Sequence, residues 1–149
     1  MSHTAVRNAI EGTLATAFPD VPIIPLVNLP ADVPVDTDGY PAPFIATFWT
    51  SFVEPFQVRG SSPACWREIG SATIVLYVPS GAGEAEAELQ AISDLFTTDP
   101  SLPVDPPGTG LTIQDVSRGD TRAPMKTDSS LGSMWSGAVV LGYQFGYSS

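Results

Sequence analysis

The chain of 149 residues contains a single histidine and a single cysteine. With Cys65 alone, no intrachain disulfide can form, which fits a reducing compartment. His3 stands near the N-terminus without a histidine partner, which argues against a Ser-His-Asp triad and a His-based metal site. Basic side chains are also scarce: six Lys and Arg against sixteen Asp and Glu, a formal net charge of -10. That balance argues against wrapping duplex DNA, whose phosphates are neutralised by Lys and Arg. It is compatible with a channel wall past which DNA slides unheld. No apolar run approaches the ~20 residues of a membrane span. "MSHTAVRNAI" lacks a basic segment followed by an apolar one, so no signal peptide is read. The expectation is a soluble, cytosolic chain with no membrane contact.

Apolar residues make up 43% of the chain, enough for one core in one domain spanning 1–149. Fifteen prolines and thirteen glycines are scattered without a period. Val6, Ile10, Leu14 and Ala17 recur at helical spacing and predict a helix over Thr4–Phe18, stopped by Pro19. "VPIIPLVNLP" is bounded by prolines and reads as a short edge segment. "ADVPVDTDGYPAP" reads as loop.

Two alternating runs follow. In Phe44–Val53, Phe44, Ala46, Phe48 and Phe52 share one face; Thr47, Trp49 and Ser51 share the other. In Ser71–Val78, Ala72, Ile74, Leu76 and Val78 share one face, and Thr73, Val75 and Tyr77 the other. These predict neighbouring antiparallel strands, with a turn across Glu54–Trp66. Ala85, Leu89, Ile92 and Phe96 predict a second helix from about Gly83 to Thr97. "LTIQDVS" and "WSGAVVLGYQFGYSS" predict two more strands. The last carries Val139, Leu141, Tyr143, Phe145 and Tyr147 on one face. The simplest assembly is α+β: a meander-like, mostly antiparallel or mixed sheet with two helices packed on one face.

"TIVLYVPSGAGEAE" places a glycine-rich turn between a strand and a helix, where nucleotide-binding proteins seat a phosphate. A phosphate loop requires GxxxxGK[ST], and no Lys is present. Glu84, Glu86 and Glu88 stand where the anion would sit, and the GxGxxG spacing is absent. The glycines read as a tight turn. No cofactor is expected.

The order of elements around this stretch carries a resemblance. An N-terminal helix, a proline-rich "PIIPLVNLPAD", a strand pair, "YVPSGAGEAEAELQAISDLF" and two C-terminal strands resemble the tail-terminator-like proteins of long-tailed bacteriophages. The P-x-G-x-G turn opens the second helix, which ends on Ile92-x-x-x-Phe96. Asn28 in "LVNLP" fits the same pattern. The resemblance implies a structural protein, not an enzyme. It implies a homo-oligomeric ring, commonly a hexamer, at the head-proximal end of the virion tail, assembled in the host cytoplasm. Its implied partners are further copies of itself, the tail tube protein and a head-tail connector or completion protein. DNA passes through such a ring without specific binding.

The remaining constellations read mostly as structure. Cys65 beside Trp66 lacks a histidine partner and reads as a small buried hydrophobe. Asp32, Asp36 and Asp38 lie near Gly39 without the register of a calcium loop, so no metal is expected. "RGDTR" is too short to carry an adhesion function. Arg118, Arg122 and Lys126 are half of all basic residues and fall in one polar loop, interspersed with Asp115, Asp120 and Asp128. They are either self-neutralised or a docking surface. Trp49, Trp66 and Trp135 read as core or interface anchors rather than a sugar platform. The candidate interface set is Trp49, Val75, Tyr77, Arg118, Arg122, Lys126 and Trp135. Two other readings stay open: another head-tail or tube component, and a small ligand-binding domain or enzyme.

Overall fold

The computed structural model describes residues 4–25, 42–56, 65–79, 86–102, 110–118 and 134–148. Among these the chain forms a helix α1 (Thr4–Ala17), strands β1 (Ile23–Pro25), β2 (Phe44–Phe56) and β3 (Cys65–Pro79), and a helix α2 (Glu86–Thr98). Strands β4 (Ser101–Leu102), β5 (Gly110–Arg118) and β6 (Met134–Ser148) complete it. The six strands form one mixed sheet in the order β1-β2-β3-β6-β5-β4. Only the β1–β2 pair is parallel. The α+β class expected from the sequence is therefore observed.

The sheet is not a meander. After the β2–β3 hairpin the chain passes through α2 to β4 and β5, then returns with β6 between β3 and β5. Residue chemistry accounts for the placement. From Gly137 to Phe145 β6 carries no charged side chain, and every side chain there is buried or half-buried, so it suits a central strand. β5 alternates Leu111 and Ile113 with exposed Thr112 and Gln114, which suits a strand near an edge.

One large cluster contains Val6, Ile10 and Leu14 of α1 and Leu89, Ile92 and Phe96 of α2. It also contains Ile45, Ala72, Ile74, Leu76, Val139, Leu141, Tyr143 and Phe145 from the strands. Thr47, buried beneath α1, donates its hydroxyl to Glu11 Oε1 at 3.2 Å and ties that helix to β2. A smaller cluster, Phe44, Ala46, Val75, Tyr77 and Ala138, occupies the opposite face of the sheet.

The division of β2 into two faces is observed: Ile45 and Trp49 join the main core, Phe44 and Ala46 the smaller cluster. Both faces of β2 are apolar at its start, so alternation alone could not say which one meets the helices. Several expectations need correction. Ala17 is exposed because the helix ends there; Phe18 instead packs against the core, its N–H bonded to the Leu14 carbonyl at 2.8 Å. The hairpin strands run three residues past Val53 and begin six before Ser71. The two residues of β4, between Pro100 and Pro103, leave no periodic signal in the sequence.

Candidate assembly surface

β2 and β3 pair without interruption from Phe44↔Tyr77 to Phe56↔Cys65. β3 and β6 pair equally continuously from Cys65↔Ser148 to Pro79↔Met134. These three strands form a long ribbon, and the described residues of β1 pair with Ile45, Ala46 and Thr47 of β2. Among the described residues the two large hydrophobics that stand out in solvent lie on β2, Phe48 at 42% and Val53 at 45% exposure. They project from opposite faces of the strand.

Trp49, between them, packs half-buried against the main core. The Arg7 guanidinium carbon of α1 sits 5.7 Å from its ring centroid, a cation–π contact. Its indole Nε1 is buried and makes no hydrogen bond, and the same holds for Ser51 Oγ. The Thr50 hydroxyl is satisfied by Ser71 Oγ at 2.8 Å on the other face.

Val75 and Tyr77 are each 1% exposed inside the smaller cluster, so as placed they offer little surface to a second subunit. Tyr77 stacks on Phe44 with ring centroids 4.8 Å apart and planes 13° from parallel. Burial pushes its phenol above the ordinary value. Trp135 packs half-buried on the main core beside Gly137, where an added Cβ would lie 2.6 Å from Leu89 Cδ2 and 3.0 Å from Trp135 Cη2. Only a residue without a side chain lets α2 and the indole approach β6 that closely.

Arg118 closes the other end of the sheet. Its guanidinium donates to Gln90 Oε1 at 3.1 Å and pairs with the Glu86 carboxylate, both on α2. The first turn of that helix is thus supplied with Glu86 and Glu88, and Glu86 is matched by a cation of the same chain. Arg122, Lys126 and the Ser80–Gly83 turn lie outside the described residues, as do His3 and the Asp32–Asp38 loop. Cys65 is a β3 residue opposite Phe56 and Ser148. Among the described residues, no group of three His, Cys, Asp or Glu is placed to hold a metal ion. No helix there is long and apolar enough to cross a membrane.

One polar pair escaped the sequence reading. Glu68 is 1% exposed, and the buried Tyr143 donates its hydroxyl to Glu68 Oε2 at 2.6 Å. Gly70, opposite Tyr143 in the register, makes room for it: an added Cβ would stand 2.8 Å from the Tyr143 oxygen and 2.4 Å from the Thr50 carbonyl. Extending the Ala72, Ile74, Leu76 alternation backwards would have placed Glu68 and Gly70 on the core face. The Tyr143 phenol and the Glu68 carboxylate share a buried hydrogen bond. The hollow along α1, bordered by Asn8, Ala9, Gly12, Thr13, Thr16 and Leu95, holds no charged side chain.

No family model matches the chain, and no curated protein matches it. Among solved structures, one chain with a name that states no activity aligns over 97% of this chain and 96% of its own length. The identity is 18% and the TM-score 0.49, a likeness too slight to carry an argument.

Proposed function

We propose that this chain is a structural protein of the phage tail-terminator type. Copies form a closed ring, a hexamer, on the head-proximal end of the tail tube. The ring occupies the site the next tube subunit needs, ends polymerisation and presents its far surface to the head-tail connector. It makes and breaks no bond, and DNA passes through its acidic bore unheld. Both helices pack on one face of the sheet in this reading, supported by their shared cluster. The observation that carries it is the succession of elements: helix, short strand, long hairpin, helix, then the C-terminal strands, in the order on which the resemblance rests.

A cap works by mass action, so its affinity for the tube end must exceed that of another tube subunit. A ring of identical chains requires a heterologous contact, one patch meeting a different patch on the neighbour. The experiment is removal of the gene from a phage that carries it. The expected particles have tails of irregular, excessive length that fail to join heads. Tails of normal length already joined to heads would overturn the assignment.

A further inference from the structure

We draw no further inference here: the strongest candidate, the uncharged hollow along α1 bordered by Asn8, Ala9, Gly12, Thr13, Thr16 and Leu95, is a stripe of mostly small side chains, and nothing in the structure shows what covers it.

Discussion

The two margins of the sheet are built from different chemistry. On the β5 side, β4 covers Leu111 and Thr112, and a register shift between Ile113 and Asp115 breaks the ladder. Gln114 bonds across to Gln144 at 2.7 Å, Asp115 stands in solvent, and Arg118 is held by α2. Bulge, charge and a covering helix are the devices that keep an edge from pairing. On the β2 side the described pairing covers Ile45, Ala46 and Thr47, and the exposed side chains beyond it, Phe48 and Val53, are apolar. The contrast teaches that one margin is tied to a helix by charge while the described part of the other presents apolar surface.

The largest expected effect lies between the margins. Leu141 is fully buried on the central strand, so Leu141→Ala should cost about 2–5 kcal/mol in denaturant unfolding. Phe48→Ala, on β2, should cost the monomer far less. Equal costs would mean that Phe48 belongs to the core.

Next comes the support beneath β2. Tyr143→Phe removes the donor to Glu68 and should cost about 1–3 kcal/mol. Gly70→Ala should cost a similar ~1–3 kcal/mol, because its Cβ meets the Thr50 carbonyl and the Tyr143 hydroxyl. If Gly70→Ala were neutral in urea unfolding, the close approach of β2, β3 and Tyr143 at this row would be wrong.

These residues also show what the sequence could and could not disclose. The helix faces of Val6, Ile10 and Leu14, and of Leu89, Ile92 and Phe96, were legible because each meets the core on one side only. Val139, Leu141, Tyr143 and Phe145 were legible because larger apolar side chains alternate with small or polar ones from Leu141 on. The faces of β2 were not, because Phe44 and Ile45 are both buried, in different clusters. The hairpin ends were hidden by Pro55 and by Glu68 and Gly70, which look like turn residues until their partner Tyr143 is in place. Of the expected interface residues, Val75 and Tyr77 turned out to be enclosed, since periodicity reports a second apolar face without saying what covers it.

A smaller effect concerns Tyr77. Burial raises its phenol above the ordinary value near 10. The neutral form is favoured in the folded state, so this contribution is complete below pH ~10 and is lost as pH rises through the folded value. Alkaline unfolding should therefore be less steep for Tyr77→Phe than for the wild type. Identical curves would place the ring in contact with water.

The smallest effect is expected at the β5 margin. Arg118 and Glu86 are partly exposed, so Arg118→Ala should change stability by less than ~1 kcal/mol and leave association unaltered. Loss of assembly in that variant, read by sedimentation, would place Arg118 in the contact between copies.

The central claim is that identical chains close into a ring rather than remain single or polymerise. Native mass spectrometry of the purified protein tests it most directly. The account expects one discrete species at six times the 15.7 kDa subunit mass, unchanged as concentration rises. A persistent monomer, or a ladder of ever larger species, would contradict it.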